Sequence, residues 1–120
     1  MRIRIHEIET GTSDSEQTKS LFRVLGLTTK LEQDQVTVFD SGIQGVDFNL
    51  THHCTKSVVR ISFLTDDLAS VINHLTQYQY PFEGPYESHL GMLGIDLMTP
   101  DQIQICIQTP TDSSPSWLQV

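Results

Sequence analysis

Two amphipathic stretches, each preceded by one β-branched run and followed by three, set the strongest limit on how this chain can fold. In the first, Ser13 with Glu16 three residues on reads as a capping box, Leu21, Val24 and Leu25 supply an apolar stripe, and Gly26 marks the stop. This predicts a helix over roughly residues 14–25. In the second, Asp66 or Thr65 caps a run in which Leu68, Val71, Ile72, Leu75 and Tyr78 share one helical face, and Pro81 forbids continuation. Around the helices lie eight short runs with strand character: 3–10, 28–33, 35–40, 46–51, 58–64, 82–87, 92–98 and 103–108. Turn residues such as Ser41-Gly42, Gly84-Pro85, Gly91 and Thr99-Pro100-Asp101 separate them, so antiparallel pairing is expected.

The order strand, helix, three strands therefore occurs twice, the second copy displaced by about 53 residues. An internal duplication in an α+β domain follows, with module one over about 1–53, module two over about 57–109 and a tail over 110–120. Each module leaves one sheet face to bury or to line a cavity, so two curved mixed sheets around a cup-shaped pocket are expected. A ferredoxin-like sandwich competes poorly: the 37 residues between Leu27 and Thr65 carry three apolar runs, where that fold needs two strands. The tail ends in Trp117 and Leu118, and either docks on the domain or a partner subunit or is disordered.

At 120 residues the chain can bury a core without disulfides, and Cys54 and Cys106 lack a CxxC spacing, so free thiols are expected. No segment approaches the roughly 18 unbroken apolar residues of a membrane span, and the first eight residues do not form a secretory signal, so the expected location is the cytoplasm. Seven Lys and Arg against fifteen Asp and Glu give a net charge of −8, which repels nucleic acid and anionic lipid. Arg60 is the last basic residue before sixty positions holding seven acids, and it lies in an apolar stretch.

Several segments resemble the vicinal oxygen chelate superfamily of glyoxalase I, bleomycin-resistance proteins and extradiol dioxygenases. Leu21-Phe22 followed by Leu25-Gly26-Leu27 is similar to that family's helix and its Leu-Gly-Phe end. Arg60-Ile61-Ser62-Phe63, Asp67-Leu68, Tyr80-Pro81-Phe82-Glu83-Gly84-Pro85 and Thr99-Pro100-Asp101 are similar to its second-half elements. The resemblance covers nearly the whole chain and implies two βαβββ modules around a cup.

In metal-dependent members an ion is held from the first and last strands of each module. The corresponding positions here are Glu7, Asn49, Arg60, and Gln104 or Cys106. An arginine has no lone pair to give, which argues against a divalent ion; Glu7 would be the first candidate ligand if one were bound. A guanidinium forked onto Glu7 or Glu9 could take its place, serving either as a salt bridge that keeps the modules in register or as a grip on a ligand anion. The five histidines share no ligand spacing on one element. In the last strand Ile103, Ile105 and Ile107 should pack on helix while Gln104, Cys106 and Gln108 face the cup; nothing nearby activates Cys106.

The expected function is metal-free binding of a small, partly apolar molecule in a pocket lined by Glu7, Glu9, Asn49, Arg60, Phe82, Tyr86, Met92, Gln104 and Cys106, with no cofactor. The alternative implied by the resemblance is a metal-dependent lyase, isomerase or dioxygenase. Open sheet edges, and the habit of relatives this short, further imply a homodimer.

Overall fold

The computed structural model of the chain describes residues 1–52 and 58–120. Cys54, considered above, and His53, one of the five histidines, lie outside the described residues. The elements follow the order β1 (Ile3–Gly11), α1 (Ser15–Val24), β2 (Thr29–Glu32), β3 (Val36–Asp40), β4 (Asp47–Thr51), β5 (Val58–Thr65), α2 (Leu68–Gln77), β6 (Glu83–Glu87), β7 (Leu93–Met98) and β8 (Gln104–Thr109). This is the α+β order expected from the sequence. Contacts divide the chain into two units, His6–Ile61 and Met1–Ile5 with Ser62–Val120.

Within His6–Ile61 the strands run in the order β2-β3-β4-β1. The pairs β2/β3 and β3/β4 are antiparallel, as their turn residues predict, while β1/β4 is parallel, so the sheet is mixed as expected. The reason is topological: α1 returns the chain to the same end of the sheet, so β4 arrives alongside β1 in the same direction. Register partners share a face. Ile8, Phe48 and Phe39 point one way, with Thr10, Leu50 and Thr37 beside them. The Phe22 ring of α1 meets Phe39 at 5.5 Å edge-on and Phe48 at 5.2 Å. Phe39, Leu50 and Thr37 have no solvent exposure.

Asp14, not Ser13, caps α1, its carboxylate accepting from the Gln17 backbone N–H at 3.2 Å. The Leu21, Val24 and Leu25 stripe is not the buried face: these side chains are 54%, 81% and 69% exposed. The helix instead turns Phe22 and Lys19 inward. The Lys19 Nζ lies 2.8 Å from Glu16 and 3.0 Å from Glu32, and these hydrogen bonds hold its pKa above the usual lysine value. A paired lysine with its stem laid on the sheet thus takes the place of an apolar anchor.

Within the other unit the order is β5-β8-β7-β6. Leu68 and Val71 of α2 pack on Ile95 and Ile107, with Phe63, Ile72, Leu75, Phe82, Leu97 and Ile105 around them. Asp67, rather than Asp66 or Thr65, caps α2 by accepting from the Ser70 N–H at 3.0 Å. Asp66 has another task, accepting from the Arg2 backbone N–H at 2.7 Å. Gly84-Pro85 lies inside β6, within the run expected over 82–87, and falls at a register irregularity instead of ending the strand.

The tail is docked through one side-chain hydroxyl and one backbone carbonyl. Thr111 Oγ1 donates to the Gly91 carbonyl at 2.6 Å and Arg4 donates to the Gln119 carbonyl at 2.6 Å, while the Trp117 side chain stays exposed. Gly91 has φ +70, and a Cβ there would stand 2.7 Å from the Ser113 carbonyl oxygen. Gly91→Ala should therefore displace the tail and cost about 1 kcal/mol or more. Hydrogen exchange at the backbone amides of Thr111, Ser113 and Ser114 would read this; unchanged protection would contradict the docking.

Candidate functional site

Strand alternation puts Glu7 and Glu9 of β1 on the face of the first sheet away from Phe22. Their register partners Asp47 and Asn49 in β4 lie on the same face, followed by Val38 and Asp40 in β3. A polar face thus backs an aromatic one, and the sheet holds both because period-two alternation separates them completely.

The chemistry of this face centres on Glu7. Burial pushes its carboxyl up to about 7, the Glu9 charge and a hydrogen bond with Glu9 push the same way, and Asp47 adds to the effect. The Arg60 charge pulls in the opposite direction and weighs least. The expected influence of Arg60 on Glu7 is present, and burial and Glu9 outweigh it in setting the proton affinity of Glu7. Asp47 has its own cation, with Lys30 Nζ at 3.0 Å. The Asn49 Oδ1 is closed off from solvent and makes no hydrogen bond. Among the described residues no three His, Cys, Asp or Glu side chains converge as a metal-holding group.

The remaining expected site residues lie in the other unit. Tyr86, Asp96, Cys106 and Gln108 share the sheet face away from α2. The Tyr86 hydroxyl donates to Asp96 Oδ1 at 2.7 Å and lies 3.5 Å from Cys106 Sγ. Burial, then the bonds to Cys106 and Asp96, push the phenol pKa well up, so Tyr86 stays protonated. Gln108 Nε2 donates to Ser88 Oγ at 2.6 Å. The isoleucine and polar faces of β8 are therefore divided as expected, and the free Cys106 is 1% exposed. Gln104 is half-buried, and Met92 is closed from solvent. Phe82 corrects the expectation: it packs on the core under α2, opposite the Cys106 face, because an aromatic just outside β6 fills the space beside Leu68 and Val71.

Two contributors escaped the sequence reading. Asp47 stands two residues before Asn49 on the same face, a signal that alternation alone could have given. Asp96 is a cross-strand neighbour of Cys106, and only the β7/β8 register reveals it.

Comparison with protein-family models finds no match, and comparison with curated protein sequences finds none. Solved structures do match. A glyoxalase/bleomycin resistance protein/dioxygenase superfamily member from Vibrio splendidus 12B01 superposes with a TM-score of 0.64 at 17% identity, covering 91% of this chain and 100% of that one. The Mn(II)-bound glyoxalase from Novosphingobium aromaticivorans gives 0.64 at 16% identity over 92% of this chain and 39% of that one. Methylmalonyl-CoA epimerase from Mycobacterium tuberculosis gives 0.59 at 9% identity over 89% and 87%. The chain therefore has the glyoxalase/bleomycin-resistance/dioxygenase fold, as the resemblance implied. No helix among the described residues is long and apolar enough to cross a membrane.

Proposed function

We propose that this protein is a metal-free, small-molecule-binding protein of the glyoxalase/bleomycin-resistance fold, and that its ligand lies against the polar face of β1 and β4. The observation that carries the reading is Glu7. A carboxyl whose pKa is raised to about 7, first by its own burial and then by a second carboxyl, is expensive for a sheet to keep, and such groups concentrate at binding and catalytic sites. Asn49 adds an acceptor that a ligand donor could satisfy once the amide turns.

One fold neighbour, the glyoxalase from Novosphingobium aromaticivorans, is Mn(II)-bound. The residues here suit an ion poorly. A metal ligand must give up its proton, whereas Glu7 holds one up to about pH 7. The nearby cationic positions are already supplied by Arg60 and, on Asp47, by Lys30. The buried free thiol of Cys106 is in keeping with the reducing cytoplasm.

The test has two arms on the purified chain. Incubation with manganese, nickel or zinc followed by dialysis should leave well under one equivalent by elemental analysis. Screening a small-molecule library by carbon-detected NMR should give saturable shifts at the Glu7 carboxyl and the Asn49 amide, lost in Glu7→Gln. One tightly held equivalent of metal, released on Glu7→Gln, would move the function to a metal-dependent lyase, isomerase or dioxygenase.

A further inference from the structure

In the unit made of Met1–Ile5 and Ser62–Val120, α2 covers one face of the sheet. On the other face Leu64, Cys106 and Gln108 are nevertheless closed from solvent, as is Met92 just ahead of β7. Leu64 belongs to that face because its neighbour Phe63 packs under α2, and Cys106 and Gln108 do because Ile105 and Ile107 pack there. Residues 110–120 are anchored at both margins of this region. Leu93 pairs with Thr109, and two residues further on Thr111 Oγ1 donates to the Gly91 carbonyl at 2.6 Å, extending that pairing beyond β7. There the chain turns: the Ser114 N–H donates to the Thr111 carbonyl at 2.9 Å and the Thr111 N–H to Ser114 Oγ at 3.0 Å. A second turn follows, with the Leu118 N–H donating to the Pro115 carbonyl at 3.1 Å, before Arg4 takes hold of the Gln119 carbonyl. The strand order is β1-β5-β8-β7, so the anchors stand three strand spacings apart, about 14 Å. Between them Ser114, Pro115 and Leu118 are half-buried while Asp112, Ser113, Ser116 and Trp117 are exposed, so the segment has an inner and an outer side.

We infer that residues 110–120 form a strap that closes the face of this sheet away from α2, and that its release as one piece opens the way to the cluster of Tyr86, Asp96 and Cys106. A side-chain hydrogen bond at each end holds the strap, against a continuous ladder along β7 and β8, so it detaches at a lower free energy than the strands beneath it. Its largest side chain, Trp117, stays in solvent, which leaves little apolar area to expose on release. The strap lies in the unit that does not hold Glu7, so its behaviour is independent of what binds there.

The experiment is iodoacetamide alkylation of the intact folded chain, followed by peptide mass spectrometry that reads Cys106 separately from Cys54. Wild-type Cys106 should react slowly. A chain ended after Thr109 should react at least about tenfold faster at Cys106, and Arg4→Met, which releases only the outer end, should fall between, both with near-wild-type circular dichroism. Hydrogen exchange on the unaltered chain reads the same opening: the amides of Ser114 and Leu118 should exchange together and well ahead of those of β7 and β8. Cys106 alkylation unchanged by the truncation would overturn the strap, as would Ser114 and Leu118 amides that exchange only with the core strands. Where truncation unfolds the chain, the exchange measurement alone decides.

Discussion

Glu7→Gln should make the protein more stable at pH 8, by about 2 kcal/mol, while leaving it nearly unchanged at pH 4. The carboxyl is raised from an ordinary 4.5 to about 7. Below the unfolded value both states hold the proton, and the folded arrangement carries no penalty. Between about 4.5 and 7 the unfolded chain ionises while the folded one does not, so stability falls as pH rises, and above 7 the penalty is complete. Each tenfold change in proton affinity is worth about 1.4 kcal/mol. The full shift would give roughly 3 kcal/mol, reduced here because part of the carboxyl still meets solvent. Glutamine keeps the size and the hydrogen-bonding capacity without the charge. Urea midpoints of both proteins at pH 4, 6 and 8 measure the difference, and parallel curves across that range would contradict a buried, proton-holding Glu7. A gain in stability accompanied by loss of ligand response is the pattern expected where a group is kept for function.

Phe39→Ala is expected to have the larger effect, a loss of about 3 to 5 kcal/mol. Phe39 has no solvent exposure, touches Phe22 edge-on at 5.5 Å and lies 6.3 Å from Phe48. The apolar stripe of α1 faces outward, so the helix is held to its sheet chiefly by Phe22 and the Lys19 pairs. Removing Phe39 empties the space that Phe22 enters. Against a typical stability of about 5 to 15 kcal/mol, a large fraction would go, and α1 should become the first segment to exchange its amides. A change below about 1 kcal/mol would show that Phe22 has another seat.

The strands were legible because alternation and turn residues act locally, and their observed limits differ from the expected ones by a residue or two. The orientation of α1 was not. Leu21, Val24 and Leu25 form the better apolar stripe by type, but burial is decided by which side chain fills the Phe39/Phe48 surface, and that surface lies in strands far along the chain. The cap positions slipped toward Asp14 and Asp67 because Ser13, Thr65 and Asp66 are chemically able to cap too, and only the chain path chooses. At the site, alternation correctly gives Glu7 and Glu9 a common face. It says nothing about titration: burial first, then Glu9, act on the Glu7 carboxyl more strongly than the Arg60 charge that the sequence singled out. Phe82 was misplaced because its residue type cannot tell the two sides of a sheet apart.

The N-terminal strand also sets a timetable for synthesis. Arg2 is fixed through Asp66, and the Thr65 hydroxyl donates to its carbonyl, while Arg4 is fixed through Gln119. On the ribosome Arg2 and Arg4 emerge before their partners and must wait for residues 64 and 115 positions later. His6 onward can pair with β4 once Thr51 has emerged, so a single strand would be completed in two instalments. During that interval Ile3 and Ile5 remain unpaired, and a nascent-chain chaperone would find its most accessible apolar target there.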